Sequence, residues 1–262
     1  MKRKEKLLER LNAISKSLAS RTNALGLLAL GSVGVELGRL DDYSDLDFFV
    51  IVRQGFKQHF IQNLDWLSLI HPIIYSFQNT KDGHKVMFAD EIYAEFAVFE
   101  PYELNDICYS TGRIIWAASD FQTEWAPPKC SPINNELKSE EWIANEIVSL
   151  LYVGMCRQLR GETFAAYHCI QIEAFNLLLE LFSKLRSPSI NAYVDIYNNS
   201  RRVELRYPEF AAHLPQLLGG IEKNTLSAKS ILEITNSLFP VNKSMKDIIS
   251  NQCLEENNNE NM

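Results

Sequence analysis

ALGSVGVELGRLDDYSDLDFFVIV, residues Ala29 to Val52, contains a glycine turn, a polar loop and two aspartates between apolar segments. An apolar segment from Leu25 to Leu30 leads into Gly31 and Ser32, and a polar loop then leads to a second apolar run, Phe48 to Val52. Short apolar runs that are bounded by turn residues are typical of buried strands. The stretch therefore predicts two strands of one sheet, with a glycine turn at the end of the first.

Two aspartates, Asp45 and Asp47, stand one residue apart where the second strand begins. Side chains alternate along a strand, so both carboxylates are expected on the same face. Adjacent carboxylates repel each other, and a cation between them is the simplest relief. The pair therefore predicts a divalent-metal site, although acids in such a loop, taken alone, are more often ordinary turn residues.

Gly31 and Ser32 add groups that can bind a phosphate. A glycine at the end of a strand lets backbone N–H groups approach a phosphate, and the serine supplies a hydroxyl donor at the start of a short helix. Twelve residues, Val33 to Ser44, lead from Ser32 to Asp45. This length predicts that the phosphate turn and the metal carboxylates share one edge of the sheet.

This combination resembles the motif of the nucleotidyltransferase superfamily that includes DNA polymerase β: Gly-Ser, a connecting loop, then Asp-hydrophobic-Asp. With YSDLDFFV at 43–50, YAEFAVF at Tyr93–Phe99 and RGETFAA at Arg160–Ala166, the chain is similar to lincosamide nucleotidyltransferases and, less closely, to aminoglycoside ones. The resemblance implies an enzyme that transfers a nucleoside monophosphate from a nucleoside triphosphate, with ATP expected, to a hydroxyl of a small molecule such as one of these antibiotics. It also implies two Mg²⁺ ions and a homodimer.

The site residues expected on these grounds fall into two groups. The catalytic and metal-binding residues are Asp45, Asp47 and Glu95, and the nucleotide-binding residues are Gly31, Ser32, Ser44 and Arg160. Glu95 lies inside a predicted strand with apolar neighbours, and a carboxylate there needs a partner. Whether Glu95 takes the proton of the acceptor or binds metal stays open from the sequence.

Composition and charge limit the function classes. The chain has 262 residues, is 46% hydrophobic and carries a net charge of −7, so it can form a large core and is poorly suited to a nucleic-acid partner. No stretch approaches the roughly 20 apolar residues of a membrane span. Five scattered cysteines favour reduced thiols and a cytoplasmic location.

The order of predicted elements indicates an α/β (α+β) chain. Residues 1–125 are expected to form a nucleotidyltransferase domain with a mixed sheet and flanking helices, residues 126–250 a helical bundle, and residues 251–262 a disordered tail. The strands are expected at Leu25–Leu30, Leu46–Val52, Pro72–Phe77, Lys85–Phe88, Ile92–Phe99 and Arg113–Ala117, and the long helices of the bundle at Glu136–Arg160, Thr163–Lys184 and Leu226–Leu238.

Two other function classes remain open. An antitoxin-like or regulatory nucleotidyltransferase that modifies a protein would use the same three acids, and a non-catalytic nucleotide-binding module would keep the fold. Polynucleotide extension is disfavoured by the acidic balance. The sequence leaves undetermined the acceptor, the preferred base, the oligomeric state and the roles of Arg157, Arg201 and Arg202.

Overall fold

The computed structural model describes residues 2–129, 138–189 and 198–260. The chain divides into two compact units, Met1–Pro132 and Ile133–Met262, and each has its own hydrophobic core. The expected mixed sheet with flanking helices, followed by a helical region, is confirmed.

The first unit is built on a six-stranded sheet with the order β3-β4-β5-β2-β1-β6. Its strands are β1 (Ala24–Leu30), β2 (Leu46–Val52), β3 (Ile73–Gln78), β4 (Gly83–Phe88), β5 (Tyr93–Phe99) and β6 (Arg113–Ala117). Strands β2 and β5 are parallel, and all other neighbours are antiparallel. The six predicted strands are therefore found within two residues of their expected bounds.

Helices cover one face of this sheet. They are α1 (Arg3–Ala19), α2 (Lys57–Gln62) and α3 (Asp65–Ser68). In α1 the apolar residues Leu7, Leu11, Ile14 and Leu18 recur at helical spacing and are fully buried, because this spacing places them on one stripe. They pack in one core with the inward side chains of the central strands.

The opposite face of the sheet is covered over only part of its area. Phe49 of β2 packs edge-on against Phe99 and Tyr109, with ring centroids 4.8 and 5.3 Å apart. This smaller core lies toward the ends of β2 and β5 at which the strands finish. The beginnings of the same two strands carry Asp47 and Glu95, which are only partly buried.

The second unit is helical. Its α-helices are α4 (Glu140–Leu159), α5 (Thr163–Tyr167), α6 (Phe175–Leu185), α7 (Val203–Arg206), α8 (Pro208–Ala211), α9 (Leu214–Leu217), α10 (Asn224–Leu238) and α11 (Lys243–Glu260). Helix α4 begins after Ser139, whose hydroxyl accepts a hydrogen bond from the Trp142 amide at 3.1 Å. The first two residues of the predicted helix 136–160 lie outside the described residues.

A π-helical segment, His168–Ala174, joins α5 to α6, where one continuous helix was expected. The extra residue of a π turn changes the face that the following helix presents. Within the segment, Gln171 donates to the side chain of Asn224 at 2.9 Å, and Asn224 donates to Gln158 of α4 at 2.9 Å. This polar link ties α4, α10 and the π segment together, so the break in the helix has a packing partner.

The last helix differs from the predicted tail. Helix α11 extends to Glu260, and Ile249 and Cys253 on it are buried in the helical core, which gives this segment apolar surface to bury. Residues 261 and 262 lie outside the described residues. Over the described part of the chain, no helix has both the length and the apolar character needed to cross a membrane.

The cysteines differ in part from the expected reduced state. Cys156, Cys169 and Cys253 are free thiols, whereas Cys108 is disulfide-bonded. Burial raises the pKa of the Cys253 thiol to about 11, so this side chain stays protonated and packs as a small apolar group.

Replacing Gly154 by valine should destabilise the helical unit. A Cβ at Gly154 would lie 2.5 Å from Cγ1 of Ile170, so α4 and the π segment pack too closely for a side chain. We expect the free energy of unfolding to fall by about 2 kcal/mol, the usual cost of overpacking. Urea unfolding followed by circular dichroism measures this change. Ser149→Val, at an exposed position of the same helix, is the control, and equal midpoints for both variants would contradict the prediction.

Candidate active site

The turn after β1 is shaped by Gly31. Residues Gly31–Val33 form one 3-10 turn, and Gly31 has φ +55°, a conformation that residues with a side chain adopt at a cost. A Cβ at Gly31 would lie 2.7 Å from Oδ2 of Asp47. Glycine is therefore required twice, for the backbone conformation and for the space that the Asp47 carboxylate occupies.

Asp47 lies at the centre of the candidate site. On one side it pairs in register with Leu30, the last residue of β1, and on the other side with Glu95 of β5. Residues in register on neighbouring strands project to the same face. The sheet therefore brings the Gly31 turn, Asp47 and Glu95 together.

Asp45 lies just before β2 and is partly buried. Its charge acts on Tyr93, at the start of β5. Burial raises the pKa of the Tyr93 phenol, Lys85 lowers it, and the negative charges of Glu95 and Asp45 raise it further. Both acids therefore add to the negative potential at this phenol.

Glu95 has two polar partners that sequence reasoning did not identify. Its carboxylate lies 3.4 Å from Nζ of Lys85 and accepts a hydrogen bond from Nδ2 of Asn79 at 3.2 Å. Lys85 is opposite Glu95 on β4, and the charge of Glu95 raises the pKa of the lysine. The Glu95 side chain is 42% exposed. The partner expected for this carboxylate was the metal held by the two aspartates, whereas the structure provides a lysine and an amide.

The carboxylates of Asp45, Asp47 and Glu95 are oxygen ligands, the type that magnesium binds. Within the described residues, no three His, Cys, Asp or Glu side chains converge as ligands of one ion. Mg²⁺ commonly binds one or two carboxylates and completes its shell with water and substrate phosphates, so a third carboxylate is not required. Asp45 and Asp47 are the residues that would hold the ion, and a metal-binding role for Glu95 stays a prediction.

The remaining predicted site residues are placed as follows. Ser32 is partly buried within the Gly31 turn. The hydroxyl of Ser44 accepts from the amide of Asp41 and donates to its carboxylate, both at 3.0 Å, so this side chain closes the loop before β2. Arg160 follows α4 in the helical unit, donates to the Cys156 carbonyl at 3.0 Å, and is largely exposed. A nucleotide contact of either residue stays a prediction.

Arg113 is a further residue that sequence reasoning missed. Its guanidinium, at the start of β6, donates to the Val33 carbonyl at 2.8 and 3.0 Å and to the Gly34 carbonyl at 3.1 Å. These carbonyls belong to the last residue of the Gly31 turn and to the residue after it, and burial lowers the pKa of the arginine. Arg113 therefore holds the backbone of the turn in place. A lone arginine in a short strand gives no sequence signal for this contact.

Arg201 and Arg202, whose roles the sequence left open, lie close in the chain to Arg206, which has a structural role. The buried side chain of Arg206 donates to the Arg201 carbonyl at 3.1 Å and to both the side chain and the backbone carbonyl of Asn199. Arg206 therefore stabilises its own loop.

The chain matches no protein-family model and no curated protein. Among solved structures it is similar to an aminoglycoside 6-adenyltransferase from Bacillus subtilis, at 11% identity and a TM-score of 0.35, with 98% of this chain and 99% of that one covered. It is also similar to the STING-associated CdnE c-di-GMP synthase from Capnocytophaga granulosa, at 14% identity and a TM-score of 0.33, with 97% and 79% covered.

Replacing Gly31 by alanine should disturb Asp47 and weaken nucleotide binding. We expect the affinity for a magnesium complex of a non-hydrolysable ATP analogue to fall about tenfold or more, ~1.4 kcal/mol, as measured by calorimetry. Gly55→Ala is the matched control, because Gly55 also has positive φ, +84°, but a Cβ there meets nothing within 4 Å. Both variants carry the backbone cost, and only Gly31→Ala displaces the carboxylate. Equal affinities would contradict the role of the turn.

Arg113→Gln should weaken the hydrogen bonds that hold the backbone of the same turn in place. Loss of hydrogen bonds from a charged donor costs roughly 1.5–3 kcal/mol, so we expect a lower melting temperature and weaker binding of the same ATP analogue. Arg53→Gln is the control, because the more exposed Arg53 bonds the Thr22 carbonyl and Asp120. Unchanged nucleotide affinity in Arg113→Gln would show that the turn keeps its shape without the guanidinium.

Proposed function

We propose that this chain is a nucleotidyltransferase that moves a nucleoside monophosphate from a nucleoside triphosphate to a hydroxyl of a small-molecule acceptor. The observation that carries the proposal is the fit between Gly31 and Asp47. A strand ends in a positive-φ glycine turn, and the space left by the missing side chain holds a carboxylate that lies in register with a second acid. Backbone N–H groups of a glycine turn can bind phosphate, and neighbouring carboxylates can hold the metal ion that a phosphate chain carries.

The proposed roles divide between the two sides of Asp47. The backbone of the turn and the Ser32 hydroxyl bind the β and γ phosphates, while Asp45 and Asp47 hold Mg²⁺. Bound magnesium supplies the positive charge that offsets charge on the phosphates and on the leaving pyrophosphate. Positioning and electrostatic stabilisation account for most of the rate increase in phosphoryl-group chemistry, so a rigid turn matters more than a reactive side chain.

Glu95 is proposed as the general base. The acceptor oxygen forms a bond to the α-phosphorus, the bond between that phosphorus and the bridging oxygen breaks, and pyrophosphate leaves with the electron pair. The hydroxyl proton passes to Glu95. Two observations support this role. The ion pair with Lys85 and the hydrogen bond from Asn79 orient the Glu95 carboxylate, and its partial exposure leaves it accessible to a substrate.

The substrates, metal ions, location and oligomeric state are proposed from the resemblance of the sequence motifs to those of the family. We propose ATP as the donor, a lincosamide or an aminoglycoside as the acceptor, two magnesium ions, a cytoplasmic location and a homodimer. Arg160 is proposed to contact the triphosphate, since a guanidinium binds phosphate oxygens well.

Mass spectrometry tests the reaction directly. Purified protein is incubated with Mg²⁺, each of the four nucleoside triphosphates, and a panel of lincosamides and aminoglycosides, with Asp45→Ala/Asp47→Ala as the inactive control. We expect one product heavier by a nucleoside monophosphate, absent in the control. Labelling of a protein in place of a drug would favour the regulatory alternative, and magnesium-dependent nucleotide binding with no product on any drug would exclude the lincosamide and aminoglycoside acceptors.

Glu95→Gln separates chemistry from binding. The amide keeps the size of the side chain and cannot accept the proton, so turnover should fall by about 10²–10⁴-fold while affinity for the ATP analogue stays nearly unchanged. Glu91→Gln, an exposed acid in the turn before β5, is the control. Normal turnover in Glu95→Gln would remove this residue from the mechanism.

A further inference from the structure

An aromatic surface lies beside Glu95 on the open part of the sheet. Cross-strand pairs connect it to the acid: Lys85 lies opposite Glu95, and Phe77 of β3 lies opposite Lys85. In the neighbouring set of cross-strand pairs, Met87 lies opposite Tyr93, and Tyr75 lies opposite Met87. Paired residues project to one face, so the aromatic rings of β3 share the face of Glu95.

Two of the rings on this face have large exposed fractions. Tyr75 and Phe77 are each 52% exposed. In contrast, Val86 and Phe88 of β4, which project to the opposite face, are fully buried. Large exposed aromatic side chains next to a polar site are typical of surfaces that contact a ligand.

The strand order decides which substrate reaches this surface. In an in-line displacement the attacking and leaving oxygens lie on opposite sides of the phosphorus. The turn that binds the leaving phosphates follows β1, on one side of β2, whereas Glu95 and then β4 and β3 lie on the other side. The aromatic surface therefore lies on the side from which the acceptor hydroxyl attacks.

The width of the surface limits the size of the acceptor. Neighbouring strands are about 4.8 Å apart, so β3 lies about 10 Å from β5. Two six-membered rings placed side by side span a similar distance. An acceptor that reaches from Glu95 to Tyr75 and Phe77 therefore has two rings or more, with its reactive hydroxyl at one end.

We propose that Tyr75, Phe77 and Tyr93 form an acceptor shelf for a hydroxylated two-ring compound, such as a glycoside, that has an apolar ring face and a polar edge. The aromatic rings contact the C–H face of the acceptor, and the Lys85–Glu95 pair binds its hydroxyl end. This assignment deepens the proposed transferase function and rests on it.

Tyr75→Ala and Phe77→Ala test the shelf. Each should raise the KM for lincomycin or kanamycin about tenfold, while the affinity for the ATP analogue stays unchanged. Tyr75→Phe should restore the acceptor KM, because it keeps the ring. Tyr102→Ala, a 59% exposed tyrosine beyond the opposite end of β5, is the control and should leave the KM unchanged.

Direct binding separates this proposal from the reaction. Saturation-transfer NMR with lincomycin, kanamycin, maltose and the one-ring methyl glucoside reports binding without turnover. Binding of the probes with two or more rings that is lost in Tyr75→Ala/Phe77→Ala, with no nucleotide transferred, would support the shelf and contradict the transferase function.

Three results would overturn the shelf. The first is nucleotide transfer whose acceptor KM is unchanged in both alanine variants. The second is no binding of any ring-bearing probe to the wild-type protein. The third is a dimer that the alanine variants dissociate without a change in acceptor KM, which would assign the exposed rings to a contact with a second copy of this chain.

Discussion

The carboxylate of Asp47 packed against Gly31 is the contact on which the candidate site depends. The turn after β1 needs a residue that accepts positive φ and leaves room for a carboxylate oxygen, and glycine alone meets both conditions without strain. Because Asp47 is also in register with Leu30 and Glu95, this contact fixes the turn and two strands relative to one another. A shift of one residue in β2 would turn Asp47 to the helix-covered face.

The two cores of the first unit explain why the acids can lie on an otherwise apolar sheet. The helix-covered face takes the apolar side chains of β2 and β5, and the Phe49 cluster covers the far end of the other face. The beginnings of the strands stay open, so Asp47 and Glu95 keep contact with solvent. Burying them fully without partners would be costly.

The electrostatics of the site differ from what the acids alone suggest. Lys85 offsets part of the negative charge next to Glu95, and Arg113 holds the turn through neutral carbonyls. The positive charges near the site therefore lie beside Glu95 and next to the Gly31 turn.

Local sequence pattern determined much of this protein. The alternation and length of apolar runs predicted all six strands, and Gly31 with the Asp45–Asp47 spacing predicted the turn and two acids on one sheet edge, because these features depend on residues close in the chain. Three features depended on tertiary structure instead: the order of the strands, the Lys85 and Asn79 partners of Glu95, and the Arg113 contact. Arg113 is distant in sequence from the turn that it contacts, whereas Lys85 meets Glu95 because β4 pairs with β5. Which strands become neighbours is decided by packing of the whole unit.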